Sequence, residues 1–196
     1  MAIDQNLLKL RVETPQQWTD VVLNDFNCFL NDHAQAEKKA SGMAMSMLSH
    51  YPDRPELVSA MVDLSIEELA HFREVIKLMQ ARGLPLASDE KDPYINQIRR
   101  HLGKGAHAYL LNRLLTAAII EARGCERFGL IAQHHPEAAL QQFYQRITDS
   151  EAKHHMLFID LASLYFTTQT IETRLDELLD IEADIIQGLP LRPALH

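Results

Sequence analysis

Apolar residues recur every three to four positions through most of the chain, and the alternating Val, Ile and Thr runs that mark strands do not occur. The period predicts an all-α protein. Breakers divide the pattern: Thr14-Pro15 reads as an N-cap and first helical residue, Tyr51-Pro52 with Arg54-Pro55 closes one helix and opens the next, and Gly83-Leu84-Pro85 closes that one. Asp92-Pro93, Gly103-Lys104-Gly105, His135-Pro136 and Gly188-Leu189-Pro190 punctuate the rest. Four long helices are therefore expected near 24–50, 55–82, 105–134 and 136–166, shorter ones near 15–23, 93–102 and 170–187, and an irregular tail from about 188. Short links within the first and last long pairs predict two antiparallel hairpins. The stretch 83–104 then serves as one long crossover, the topology of a ferritin-like four-helix bundle formed by a single domain over 1–196.

Composition narrows the class. With 196 residues and 46% hydrophobic positions the chain can bury one substantial core. No apolar run exceeds four residues, and Met1–Asp4 lacks the features of a signal peptide, so a soluble cytoplasmic protein that does not engage a membrane is expected. Cys28 and Cys125 are too few for a disulfide scaffold, a four-cysteine zinc site or an iron–sulfur cluster on one chain, and are read as reduced thiols. A net charge of −8 argues against a coat of positive charge but leaves room for a local basic patch.

The chemistry lies in two Glu-x-x-His sequences, Glu68-Leu69-Ala70-His71 and Glu151-Ala152-Lys153-His154. On a helix, residues three apart share a face and can hold one metal ion together. Glu37 precedes Glu68 by 31 residues on the preceding long helix, and Glu121 precedes Glu151 by 30 on its own preceding helix. Each half of the chain thus offers a lone Glu and then a Glu-x-x-His pair, the ligand set of di-iron and di-manganese carboxylate bundles. Glu68 and His71 share a stripe with Leu64, Val75 and Met79, and Glu121 shares one with Leu114, Ala117, Ala118 and Phe128. Carboxylates facing inward from apolar stripes require compensating positive charge, which two divalent metals supply. An oxygen-rich set of six ligands suits iron, then manganese, better than zinc.

Other residues give less. His33, His50, His101, His107, His134, His135, His155 and His196 lack the paired spacing and are read as surface residues or supports around the ligands. Met43, Met45, Met47 and Trp18 read as packing, and Cys125, one turn beyond Glu121, borders the same helix face as an inert thiol or a pocket residue. From Lys91 to Arg127 seven bases oppose three acids, and from Asp160 to Asp184 seven acids oppose Arg174. Arg99, Arg100, His101 and Lys104, with Tyr94 nearby to stack a base, form either a phosphate-contacting cluster or a solvated surface.

Four segments carry a resemblance that spans nearly the whole chain: Glu37-Lys38-Lys39-Ala40-Ser41, Glu67-Glu68-Leu69-Ala70-His71-Phe72, Glu121-Ala122-Arg123-Gly124-Cys125-Glu126-Arg127-Phe128 and Ser150-Glu151-Ala152-Lys153-His154. The chain resembles the tRNA 2-methylthio-isopentenyl-adenosine hydroxylases, ferritin-like non-haem di-iron monooxygenases. That resemblance implies two iron ions, dioxygen as co-substrate and hydroxylation of an isopentenyl side chain in tRNA. It also implies one iron on Glu37, Glu68 and His71 and the other on Glu121, Glu151 and His154, with Glu68 and Glu151 bridging. Arg99, Arg100, Lys104 and Cys125 are the candidates for substrate contact. No Gly-rich dinucleotide fingerprint is present, so an external reductase, ferredoxin-like in type, is expected to deliver two electrons. An iron-storage or peroxide-scavenging protein and a quinone-precursor hydroxylase would share the ligand spacing.

Overall fold

The computed structural model describes residues 8–102 and 105–196, and among these there are seven helices and no strand. They are α1 (Gln16–Asn24), α2 (Phe26–His50), α3 (Pro55–Ala81), α4 (Pro93–Arg99), α5 (Ala106–His134), α6 (Ala138–Tyr165) and α7 (Thr168–Gly188). The chain forms two compact units. One comprises Gln17–Glu90 with Arg192–Leu195, the other Lys91–Leu191 with the N-terminal residues through Gln16 and with His196.

In the first unit α2 and α3 form an antiparallel hairpin, because Pro52 and Pro55 leave only a tight turn between them. The register is fixed where Ser41 and Ser65 exchange hydroxyl and backbone hydrogen bonds across the pair. Leu57, Met61, Leu64, Val75 and Met79 fill the buried stripe of α3. Asp25 separates α1 from α2 by capping the N-terminus of α2, its carboxylate accepting from the Cys28 amide at 3.2 Å. The expected helix from 24 therefore begins at Phe26. Residues 84–90 run without regular structure and are held to α2 by side chains one and two turns apart. Asn31 accepts from the Ala87 amide, Gln35 donates to the Ala87 carbonyl, and Lys38 and Lys39 pair with Asp89. The tail is irregular, as its Gly and Pro content predicts, yet it is anchored: the Trp18 indole donates to the Ala194 carbonyl, and the Leu195 amide donates to Asp32.

In the second unit α5 and α6 form the corresponding antiparallel hairpin, with Phe128 stacked on Tyr144 and Gly129 facing the Thr148 methyl. α4 and α7 pack in the same unit around Tyr94, Ile98 and Ile185. Asp92 caps α4 through the Tyr94 and Ile95 amides, and despite burial these bonds and His196 hold its carboxyl at about 2.

α1 begins at Gln16, one residue beyond the expected Pro15, and Thr14 is bonded to a distant residue. Its hydroxyl and amide both donate to Glu126, at 2.7 Å each. This draws it into a buried ionic network centred on Arg123, whose guanidinium donates to Glu182 at 2.9 and 3.1 Å, to Glu126 and to the Val12 carbonyl. Arg123 and Glu182 are both fully buried at 0% exposure, and the Tyr94 hydroxyl donates to Glu182 as well. Desolvation opposes the charge on Arg123, but Glu182 raises its pKa on balance. Arg127, buried beside it, is lowered to about 10 by desolvation and by the Arg123 charge, and stays cationic at neutral pH.

A buried pair broken on one side leaves an uncompensated charge. Arg123→Met is therefore expected to lower unfolding stability by about 3–5 kcal/mol in urea titrations, and the double variant with Glu182→Met to lose much less than the two single losses together; additive losses would show that the two charges do not depend on each other.

Candidate metal centre

Each hairpin brings one lone glutamate against one Glu-x-x-His pair. In the first unit Glu37 comes from α2 and Glu68 and His71 from α3, and the antiparallel register set at Ser41 and Ser65 places them at the same level. Each of the three offers a ligand atom, and these atoms lie within 4.8 Å of one another. The His71 Nδ1 is 3.6 Å from Glu37 Oε2 and 3.6 Å from Glu68 Oε2, so both carboxylates turn an oxygen toward the same ring nitrogen. Glu37 and Glu68 are buried. In the second unit Glu121 comes from α5 and Glu151 and His154 from α6, all three buried, again with ligand atoms within 4.8 Å. The His154 Nδ1 sits 2.9 Å from Glu151 Oε2.

Both triads are thus two carboxylates and one imidazole presented through Nδ1, with apolar neighbours. Two ionised carboxylates at this separation in a low-dielectric surrounding repel strongly, and a divalent cation satisfies both while leaving the imidazole neutral. The donor chemistry fits a metal in each unit, with the oxygen-rich character that hard or borderline divalent ions take.

The expected stripes are present: Leu64, Glu68, Val75 and Met79 on α3 and Leu114, Ala117, Ala118, Glu121 and Phe128 on α5 are buried. Cys125 is half-buried, donates to the Thr148 carbonyl at 3.5 Å, and has its thiol raised to about 11 by burial and by Glu151, Asp149, Glu121 and Glu126. It is a neutral thiol at physiological pH, not a thiolate ligand. Trp18 is buried as expected, whereas of the three methionines only Met47 is fully buried and Met45 is exposed.

Of the histidines without the paired spacing, one supports a ligand. His33 is fully buried on α2, and its Nε2 lies 2.7 Å from Glu37 Oε1, so the two oxygens of Glu37 divide between His33 and His71. The signal was there in the i, i+4 spacing of His33 and Glu37 on a stripe with Leu30, Ala34 and Ala44.

The basic segment is less basic at the surface than its composition. Arg123 and Arg127 are buried, and Tyr94, expected to stack a base, is fully buried and stacked on His196 with ring centroids 4.8 Å apart. Arg99 and Arg100 remain exposed at the end of α4, and Lys104 lies outside the described residues.

Comparison with known proteins is consistent along the whole chain. The profile of the family described as tRNA-(MS2IO6A)-hydroxylase (MiaE) matches residues 2–196. A tRNA 2-(methylsulfanyl)-N(6)-isopentenyladenosine(37) hydroxylase of Pseudomonas putida is 33% identical over 175 residues, 89% of this chain and 85% of that protein. The protein of the same description from Salmonella typhimurium is 33% identical over 155 residues, 79% of this chain and 56% of its own length. A solved structure described as protein 43 with aldehyde deformylating oxygenase activity from Synechococcus superposes with a TM-score of 0.91 at 33% identity, covering 95% of this chain and 94% of that one. The fold is of the ferritin-like class.

Residues that orient a ligand are worth about 10–100-fold in metal affinity. His33→Leu, which keeps the site apolar but removes the bond to Glu37, is expected to weaken metal retention by that order in competition against a chelator, with helicity unchanged; wild-type retention would reduce His33 to a packing residue.

Proposed function

The chain belongs to the tRNA-(MS2IO6A)-hydroxylase (MiaE) family, and on that premise we propose that it hydroxylates the isopentenyl side chain of methylthio-isopentenyl-adenosine in tRNA, using dioxygen and two external electrons. The observation that carries this reading is the repetition, in both units, of a lone Glu packed against a Glu-x-x-His pair with converging ligand atoms. Glu37, Glu68 and His71 would hold one iron, and Glu121, Glu151 and His154 would hold the second. Residues 1–196 act as a single ferritin-like di-iron domain.

When bound, the irons supply the reductive activation of dioxygen that no side chain of the chain performs. The protein's own part is to keep the carboxylates ionised and the imidazoles neutral at Nδ1, and to hold water away from the reacting carbon. The apolar stripes around Glu37 and Glu121 receive the prenyl group, because an unreactive C–H bond competes with solvent for any strong oxidant. Arg99, Arg100 and Lys104 hold RNA phosphates outside the pocket. A ferredoxin-like reductase delivers the electrons, and a tRNA substrate places the work in the cytoplasm. Among the described residues no helix is long and apolar enough to cross a membrane.

The equal identity to the Synechococcus protein gives a second chemistry to test in the same preparation. Nucleoside mass spectrometry of tRNA from cells with and without the chain should show a one-oxygen gain on methylthio-isopentenyl-adenosine that vanishes with Glu121→Ala. Deformylation of a long-chain aldehyde with no oxygen gain on tRNA would move the chain to the other chemistry. Metal analysis after anaerobic reconstitution should approach two irons per chain, and fewer than about one would remove the di-iron assignment. Replacing Arg99 and Arg100 together by Ala is expected to reduce the slope of log affinity for tRNA against log salt by about 1.5, from two lost phosphate contacts; an unchanged slope would exclude those residues from the interface.

A further inference from the structure

Tyr94 is unavailable to RNA, which leaves the basic surface without the aromatic face expected there. Another one is present. Tyr109, in the first turn of α5, is 36% exposed, one of the few large apolar side chains at the surface among the described residues. Arg113, one turn on, lies over its ring with the guanidinium carbon 5.8 Å from the centroid. Tyr109 and Arg113 thus form a cation–π pair at the surface of the unit.

Its surroundings are set by Arg174 of α7. That guanidinium donates to the His101 carbonyl at 2.8 Å and to Asn112 Oδ1 at 2.6 Å. One side chain therefore ties the turn carrying Arg99, Arg100 and His101 to the second turn of α5, beside Arg113. The charge of Arg174 is matched by Glu177 at 2.6 Å, and two nearby acids of α7, Asp176 and Asp180, are matched by Arg11. Arg99, Arg100 and Arg113, by contrast, form no ion pair with any described residue. An exposed aromatic ring under one guanidinium, with Arg99 and Arg100 on the turn that Arg174 ties to the same helix, is the chemistry of a single-stranded nucleic-acid contact: arginines on phosphates, with the ring and one guanidinium plane stacking a base.

We infer that Tyr109 and Arg113 are the stacking platform for an unpaired base of the RNA substrate, with Arg99 and Arg100 on the flanking phosphates and Arg174 as the positioning residue that sets their spacing. This rests on the tRNA reading above and deepens it. The platform selects a loop over a duplex, since a paired base has no free face to offer. It is tolerant of base identity, because stacking uses the π-face that every base has.

The test uses the iron-loaded full chain and a fluorescent anticodon stem-loop RNA, with a blunt duplex of the same composition beside it. Tyr109→Ala is expected to weaken stem-loop binding at least about fivefold, leave duplex binding unchanged and keep the salt slope, because no charge is lost. Tyr109→Phe should restore binding, which a merely structural loss would also show, so the discriminating readout is quenching of 2-aminopurine placed in the loop: present with Tyr or Phe at this position and absent with Ala. Arg174→Gln is expected to weaken loop binding without removing the quench. Equal loop affinity for Tyr109→Ala and wild type, or a quench that persists in Tyr109→Ala, would overturn the platform while tRNA hydroxylation by the wild-type chain still upholds the tRNA reading. A wild-type chain that neither binds the stem-loop nor hydroxylates tRNA would overturn both.

Discussion

A carboxylate or guanidinium taken out of water must find opposite charge nearby, and the interior of this protein is organised around that requirement. Arg123 meets it with Glu182 and Glu126, at the level where Tyr94, Thr14 and Arg127 also converge. Glu37, Glu68, Glu121 and Glu151 converge with imidazoles in clusters whose donor set fits a metal ion. The two solutions differ in consequence. An ion pair within the chain is structural, whereas carboxylates that converge with imidazoles can hold a metal ion.

The same requirement decides which charges remain for a partner. The basic segment from Lys91 to Arg127 loses Arg123 and Arg127 to the interior, where they hold α5 to α7 and to the chain near Thr14. The acidic segment near the C-terminus likewise loses Glu182 to burial and has Asp176 and Asp180 matched by Arg11. Among the described residues, Lys91, Arg99 and Arg100 are left outside on the basic side, with Arg113 half-buried over Tyr109, and Arg174 ties the turn after Arg100 to α5. A charge count over a segment cannot make that distinction, because it weighs buried and exposed guanidinium groups alike.

Helix positions were legible because breakers act locally. Pro55 and Pro93 sit at first helical positions as their fixed φ and missing donor require, and Asp92 caps α4. The helix ends expected at 82, 102 and 166 fall at Ala81, Arg99 and Tyr165, and α7 begins at Thr168 because Thr167 caps it. A hydroxyl next to proline looks the same in sequence whether it only caps the following helix or also bonds, as Thr14 does, to a residue 112 positions away. For His33, spacing leaves surface and support equally open for a related reason: its partner Glu37 is local, but its burial beside the Phe29 ring is not.

The all-α class, the two hairpins and the twice-repeated Glu and Glu-x-x-His pattern were determined by the amino-acid sequence, since helical periodicity and i, i+3 spacing depend only on the geometry of one helix. Tertiary structure alone decided the fate of each charge: which arginines were buried, which tyrosine met solvent, and which histidine supported a ligand. Those outcomes depend on what packs against a side chain from elsewhere in the chain, and desolvation makes a buried charge and an exposed one physically different groups with the same letter.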